Sequence, residues 1–533
     1  MNLLGFPLLS LVLWTPALGA LLLLAVPAGR LVLARRVALA ASGVTLALAV
    51  AAALHVITGP YGPLGPNGAV DAPPMQLVDR LAWLPSWGAS YVVGLDGLNL
   101  WMMLLTAFLT PFAIATTWSR HGRTSRAMLA LLLVAETAFL GTFLVQDMLL
   151  FYIFFEAALI PMVFLVGMWG GHGRAQAAMR LFLYTFTGSV LMLVGIIALY
   201  VLHRDAMAAL TPAYPGTFDL GQIVADMRSG AFQLTPVAER LLFGAFFAAF
   251  AVKLALWPLH TWVPDAYGAA PTPVAIMLAA VMAKFGTYGL IRFNLTLFPS
   301  AAEWAAPAVA ALAVVGIIYA ATVAFAQSDL QRVVAYASIS HMNFIVLGIF
   351  ALNAVGLSGA VFQMVSHGVT TALLLVAVAV LYERREQREL SSFGGLWKVM
   401  PRYGGLTMLA LLAAAGLPGL MGFIGEFTIM QGVFTSPALG WPYAAGAALG
   451  VVLAAVYALR WFRVAFMGEV ENSANLALPD LSRREGLLMG ALATVVIAGG
   501  LFPNLLLGTV RGSVAGVAAY LEPVLAAVAR LGL

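Results

Sequence analysis

Seven ionisable side chains fall inside stretches of sequence that are otherwise almost wholly apolar: Glu136, Glu156, Lys253, Lys284, His341, His367 and Glu426. Carboxylates, amines and imidazoles are the groups that take up and release protons. A charge at the centre of a bilayer costs about 2.5–3.5 kcal/mol on insertion scales, so such side chains must face one another or water, and they mark ion paths. Lysine is the informative choice. Of the 27 basic residues 24 are Arg and three are Lys, and two of those three are Lys253 and Lys284. Arginine keeps its proton to about pH 12, whereas a lysine held out of water can exchange one near neutrality. At about 4 Å and an effective dielectric of about 20, a carboxylate and an ammonium attract by about 4 kcal/mol. Making or breaking such a pair could switch a buried lysine between holding and releasing its proton.

Each group also has a structural alternative. Glu156 and Lys253 could form an ion pair that only holds helices together, and His341 and His367 could be interhelical hydrogen bonders. Two membrane imidazoles can also ligate a haem iron, the remotest of these alternatives. Glu136 has no second ionisable residue in its own apolar run, so a structural hydrogen bond suits it as well as a relay role. His260, close after an interrupted span, is a further candidate.

The elements that must carry these residues are membrane helices. The chain has 533 residues, 62% hydrophobic and 9% charged, with a mean hydropathy of +0.97; soluble proteins carry about 25% charged residues. A soluble enzyme is excluded, and with no cysteine so are Cys-ligated iron–sulfur clusters, Cys-ligated zinc and disulfides. At about 20 apolar residues per span, fourteen segments emerge. Three precede residue 126, at 6–26, 38–57 and 98–117. Five follow at 127–144, 148–168, 181–202, 241–259 and 274–291, and five more at 305–325, 333–350, 360–382, 406–434 and 441–459. The last is 487–502, and the apolar tail 510–533, interrupted by Glu522 and Pro523, reads as a helix lying in the interface or against a neighbour. No Lys or Arg precedes Arg30, so the first segment lacks the basic start of a signal peptide and reads as a span.

Orientation follows from the basic residues. The odd-numbered loops hold 18 of them and the even-numbered loops and tail hold 7, which puts the odd loops in the cytoplasm and both termini outside. The long outside loop 58–94 is rich in Gly and Pro, with Trp83, Trp87 and Tyr91 placed to anchor its end at an interface.

Two spans are broken. Span 7 reads Ala251-Val-Lys-Leu-Ala-Leu-Trp-Pro258-Leu-His, and span 12 reads Gly416-Leu-Pro418-Gly-Leu-Met-Gly-Phe-Ile-Gly425-Glu426. Proline removes a helix hydrogen bond and glycine permits the bend. Corresponding interrupted helices in two halves of a chain point to inverted repeats with an ion site at the midplane. The expected fold is an all-α polytopic membrane protein of about 14 transmembrane helices. It divides into an N-terminal unit (1–126), two inverted five-helix repeats, spans 4–8 (127–293) and spans 9–13 (305–466), and a C-terminal unit (467–533).

The motifs around these residues are long and ordered. They are Phe151-Tyr-Ile-Phe-Phe-Glu156-Ala-Ala-Leu-Ile-Pro161; Val252-Lys253 through Pro258-Leu-His260-Thr-Trp-Val-Pro-Asp265; Ala283-Lys284-Phe-Gly-Thr-Tyr-Gly-Leu-Ile-Arg292; and Ser328-Asp-Leu-Gln-Arg332 leading to Ser340-His341. Gln363-Met-Val-Ser-His367, Leu381-Tyr-Glu-Arg384 and Gly416-Leu-Pro-Gly419 leading to Gly425-Glu426-Phe complete the set. In these strings, over roughly residues 90 to 470, the chain resembles the antiporter-like proton-pumping membrane subunits of respiratory complex I, the NADH-quinone oxidoreductase. Within that family it is similar to the M type, because the L and N types carry lysine at the position of Glu426.

The resemblance implies roles. Glu156 would tune Lys253 on the broken seventh span, Lys284 would be the central relay, and His341 and His367 would carry the path on to Glu426, the terminal acid. It further implies that the chain holds no cofactor, with NADH, FMN, iron–sulfur clusters and quinone on other subunits. The partners would be other membrane-arm subunits, especially the L-like and N-like ones, together with the lipid bilayer, and no nucleic acid. The location would be a bacterial-type inner membrane. A subunit of an Mrp-type cation/proton antiporter shares most of the motifs and is the alternative; a purely structural membrane subunit is argued against by the two intramembrane lysines.

Overall fold

The computed structural model describes residues 7–27, 29–59, 75–118, 124–211 and 214–531, with side chains described as far as residue 521. Residues 60–74 of the expected outside loop, and the side chains of Glu522 and Pro523, lie outside the described residues. The chain runs α1 (Leu8–Ala25), α2 (Leu31–Thr58), β1 (Leu77–Leu84), β2 (Ala89–Leu95), α3 (Leu100–Thr116), α4 (Arg126–Leu144), α5 (Met148–Trp169) and α6 (Arg174–Leu210). A short amphipathic α7 (Leu220–Ser229) leads to α8 (Pro236–Lys253), α9 (Trp262–Ala269) and α10 (Thr272–Leu297). Then come α11 (Pro299–Ala326), α12 (Leu330–Ile349), α13 (Ala354–Arg385), α14 (Pro401–Ala414), α15 (Met421–Phe434), α16 (Trp441–Phe466), α17 (Arg483–Leu501) and α18 (Asn504–Leu531).

Local chemistry explains where several of these helices begin. Asp147, Asp329 and Asn353 cap α5, α12 and α13 by accepting from the first free backbone N–H groups, and Ser482 with Glu485 forms a reciprocal box at the start of α17. Proline opens α8, α11 and α14, where its missing N–H costs nothing.

Among the described residues, eleven helices are long and apolar enough to cross a membrane. The remaining three apolar segments of the sequence correspond to the shorter α3 and to the two interrupted spans, α8 with α9 and α14 with α15. The outer faces of α1, α2, α6 and α16 expose Leu, Val and Phe, including Leu22, Leu54, Phe186, Val194 and Val452, an apolar surface suited to lipid. Inside this ring stand α10, α12 and α13, buried almost all round. Those three helices carry Lys284, His341 and His367.

Both interruptions are built from identifiable parts. After Lys253 the backbone turns through Ala255, whose φ of +63° is left-handed, before α9 begins. The backbone groups opened there are met by neighbours: Asn343 Nδ2 lies 3.4 Å from the Ala255 carbonyl, the Trp257 N–H lies 3.5 Å from Asn343 Oδ1, and Trp262 Nε1 donates to the Val252 carbonyl at 3.0 Å. Between α14 and α15 the turn uses Gly416 and Gly419 at φ +73° and +94°, which glycine adopts without steric cost.

The helical membrane fold expected from the sequence is present, with two details that the sequence did not suggest. β1 and β2 form an antiparallel hairpin, paired from Leu77 with Leu95 to Leu84 with Ala89 and turned at Gly88 (φ +66°). Asp79 of β1 accepts from the Ser10 backbone and hydroxyl at 2.9 Å each, tying the hairpin to α1. The tail is also a single helix from Asn504 to Leu531, starting before residue 510 and continuing through 522 and 523. Its buried face, Val510, Val514, Val517 and Leu521, packs on α11 and α13. Trp101 donates to Thr509 at 2.6 Å and the Gly97 N–H to Ser513 at 2.9 Å. A proline removes one helix hydrogen bond, which this anchoring offsets.

Candidate functional site

Lys284 sits in α10 between two π-helical stretches, Met277–Met282 and Leu290–Asn294. Turns of this kind recur at functional sites. Its ammonium is fully buried, donates to the Ala279 carbonyl at 2.9 Å and lies 2.6 Å from His367 Nδ1. With Nδ1 accepting from the lysine, the neutral His367 ring carries its own proton on Nε2. That nitrogen has no hydrogen-bond partner among the described residues. The His367 ring centroid is 5.8 Å from that of His341 on α12.

His341 Nδ1 is 2.8 Å from Glu426 Oε1 on α15, which also accepts from Gln363 Nε2 at 3.2 Å. Gln363 and His367 are one turn apart on α13, so they present to the same side. The other His341 nitrogen, Nε2, lies 3.3 Å from the hydroxyl of Tyr457 on α16. Among the described residues Glu426 Oε2 has no partner, and a Cβ placed on Gly416 would sit 3.0 Å from it, so the free oxygen faces the break between α14 and α15. A cavity of about 10 Å³, the space of one water, is lined by both imidazoles, Gln363, Ser338, Ser366 and Thr370. That volume suits a water bridging the two rings.

Lys284, His367, His341 and Glu426 are thus brought into one row. The other predicted residues are not part of it. Lys253 is buried at the end of α8 with no hydrogen-bond or ion-pair partner among the described residues. Its ammonium lies 4.6 Å from the Phe155 ring centroid and 6.0 Å from that of Phe285. Glu156 does not make the expected direct pair with it: Glu156 Oε1 is unpartnered, and Phe155, the preceding residue, lies against the ammonium instead. Phe285 follows Lys284 and makes edge contacts with Phe139 and Phe143, so an aromatic cluster stands beside both lysines. Glu136 is buried in α4 with the Thr110 side chain beside its carboxyl group. His260 is buried beyond the break, edge-on to Tyr319 at 5.2 Å and with Nδ1 unpartnered, and makes no contact with the row.

Sequence reasoning passed over Tyr457, Gln363 and Asn343. Gln363 was detectable, being four residues before His367. A buried pair at the end of α10 was also missed: Arg292 donates to Asp96 at 2.6 Å and to Tyr288 at 3.1 Å, and Tyr288 donates to the Phe143 carbonyl at 3.0 Å. It holds the lysine-bearing helix to the hairpin and to α4.

A family model described as "NADH:quinone oxidoreductase/Mrp antiporter, TM" matches residues 145–453. NADH-quinone oxidoreductase subunit M of Rhodobacter capsulatus is 41% identical over 445 residues, 83% of this chain and 84% of that one. The chain belongs to the subunit M family of NADH-quinone oxidoreductase. The Mycobacterium tuberculosis subunit M is 35% identical over 539 residues, covering 95% of this chain and 93% of its own length. Among solved structures, a chain of respiratory complex I from Thermus thermophilus with bound NADH superposes with a TM-score of 0.83 at 29% identity, over 96% of this chain and 99% of that one. The Mrp complex from a Dietzia species gives a TM-score of 0.78 at 21% identity over 97% and 99% of the two chains, a likeness of fold alone. Subunit M chains are thus parts of an enzyme complex embedded in a membrane, and so is this one.

Proposed function

We propose that this subunit M moves protons across the membrane along Lys284, His367, His341 and Glu426, under the control of Glu156 and Lys253. The observation that carries the reading is the pair of short contacts, Lys284 to His367 and His341 to Glu426, set on either side of the one-water cavity. Each step needs no redox group. The Lys284 ammonium passes a proton to His367 Nδ1; His367 releases its Nε2 proton through the water to His341 Nε2; His341 gives its Nδ1 proton to Glu426. One proton enters the row and one leaves, and each imidazole changes tautomer as it does so.

Lys253 supplies control because an unpaired buried ammonium is a high-energy charge. Lys253 and Lys284 repel through the aromatic cluster, so moving the Lys253 proton toward Glu156 changes how firmly Lys284 holds its own. The interrupted helices support the division into two inverted repeats at 127–293 and 305–466, with Lys253 just before one break and Glu426 just after the other. The 18 basic residues in odd-numbered loops support an orientation with both termini outside a bacterial inner membrane. In the assembled enzyme, NADH oxidation and quinone reduction by other subunits supply the driving energy, and the L-like and N-like subunits are the expected neighbours.

Lys284→Arg tests the relay. Arginine keeps the charge and cannot release the proton, so the assembled complex should lose most proton translocation in inverted vesicles. Translocation at the wild-type rate would show that Lys284 serves only as a fixed charge. Copurification in mild detergent with NADH-oxidising subunits, rather than with antiporter subunits alone, tests the assembly.

A further inference from the structure

Two cavities are stacked along the same faces of α12 and α13. The one-water cavity between the imidazoles is lined by Val334 and Ser338 of α12 and by Thr370 and Leu374 of α13. A far larger cavity, of about 850 Å³, lies among the odd-numbered loops, on the proposed cytoplasmic side, and its lining includes Gln331 of α12 with Val378 and Tyr382 of α13. Gln331 and Val334 are one turn apart on α12, and Leu374 and Val378 one turn apart on α13. At a rise of about 1.5 Å per residue, only about 5–6 Å of helix separates the floor of the large cavity from the small one.

That wall is a polar latch over an apolar layer. Val334 and Leu374 are buried. Beside them Gln331, itself buried, uses both of its N–H groups, donating to the Tyr267 carbonyl at 2.7 Å and to the Ala270 carbonyl at 3.0 Å. Its oxygen accepts from Arg388, which also donates to the Gly268 carbonyl at 3.0 Å. These carbonyls lie at the end of α9, where a helix leaves its last C=O groups without internal partners. The donors thus come from α12 and from the segment after α13, while the acceptors belong to the half-helix that follows the Lys253 break.

A relay that passes a proton from His367 through one water to His341 has a direction only if that water does not exchange with the side the proton came from. We infer that Gln331 and Arg388, bonded to the end of α9, form a seal that keeps cytoplasmic water out of the row. Removing either side chain leaves Val334 and Leu374 as the whole barrier and frees α9 carbonyls to draw water into the wall.

The purpose of the seal rests on the relay proposed above, but the seal is tested without it. The chain has no cysteine, so Val334→Cys gives this subunit a single thiol within the wall. In inverted vesicles holding the assembled complex, a small charged methanethiosulfonate added outside should modify that thiol at least about tenfold faster when Gln331→Ala or Arg388→Ala is also present. Leu374→Cys serves in the same way should Val334→Cys fail to assemble. Without the added cysteine, the Gln331→Ala complex should move about half as many protons per NADH oxidised. Equal modification rates with and without the latch overturn the seal, whatever the row does. Faster modification with an unchanged proton yield overturns its insulating role. Full translocation in both Glu426→Gln and Lys284→Arg would remove the relay and leave the modification rates to decide the seal.

Discussion

Glu426→Gln isolates the electrostatic part of the last step. While His341 holds its extra proton, the imidazolium lies 2.8 Å from Glu426 Oε1, and both residues are buried. At an effective dielectric of about 20 two unit charges at that separation attract by about 6 kcal/mol. Glutamine has nearly the same shape and its amide oxygen still accepts from Nδ1. That neutral contact returns about 1 kcal/mol, where a charged one contributes about 1.5–3. Allowing for relaxation of the neighbours, at least about 3 kcal/mol of stabilisation of the charged intermediate is lost. At 1.36 kcal/mol per tenfold in rate this is a slowing of about a hundredfold or more. Assembly should be unaffected, because the side chain keeps its volume and its contact with Gln363. The assay is NADH-driven acidification of inverted membrane vesicles, followed with a pH-sensitive dye and compared with quinone reduction at matched complex content. Translocation above half the wild-type rate in a fully assembled Glu426→Gln complex would refute the reasoning, since no placement of the row dispenses with its terminal carboxylate.

The remaining predictions concern the lysine-bearing helices. Lys253→Met should abolish most translocation yet leave the thermal stability of the purified complex equal or slightly higher, because the ammonium has no hydrogen-bond partner and methionine packs well among Phe155 and Phe285; a marked fall in melting temperature would show that the charge is structural. Gly286→Ala should reduce the amount of folded subunit in the membrane. Its Cβ would press on the Phe250 carbonyl and lie 2.9 Å from the Leu254 nitrogen, backbone atoms that cannot give way, at a cost of about 1–3 kcal/mol; wild-type abundance by quantitative blotting would contradict that close packing of α8 on α10.

What could be read from the sequence was what the membrane makes expensive. An ionisable residue in an apolar run is conspicuous whatever its surroundings, so Lys284, His341, His367 and Glu426 could be named before their contacts were known. Tyr457 could not. An aromatic within the apolar run of α16 reads the same whether it faces lipid or a histidine, and only the packing of α16 on α15 settles it. Asn343 was hidden similarly: its role at the α8 break depends on the 86 residues of chain that return α12 to Trp257. The missing Glu156–Lys253 contact is a different kind of miss. Opposite charges on neighbouring spans suggest a bond, but whether they touch depends on ångström-scale helix placement, and here the Phe155 ring occupies the place beside the ammonium.

The two breaks show how sequence chemistry and site geometry meet. Proline and glycine in an apolar run signal an interruption, yet they do not say what meets the backbone groups it frees. At α8 those groups are met from outside the segment, by Asn343 on the helix that carries His341 and by Trp262 on α9. At α14–α15 the glycines close the turn themselves, and Gly416 leaves room for the free oxygen of Glu426 where any larger side chain would press on it. The first break is thereby tied mechanically to the helix of His341, and the second opens a space at the end of the row. A charge before one break and an acid after the other then have distinct physical uses: Lys253 stands where a shift of the α8 end would reach α12 through Asn343, and Glu426 stands where a proton delivered by His341 meets the space that Gly416 leaves beside its free oxygen.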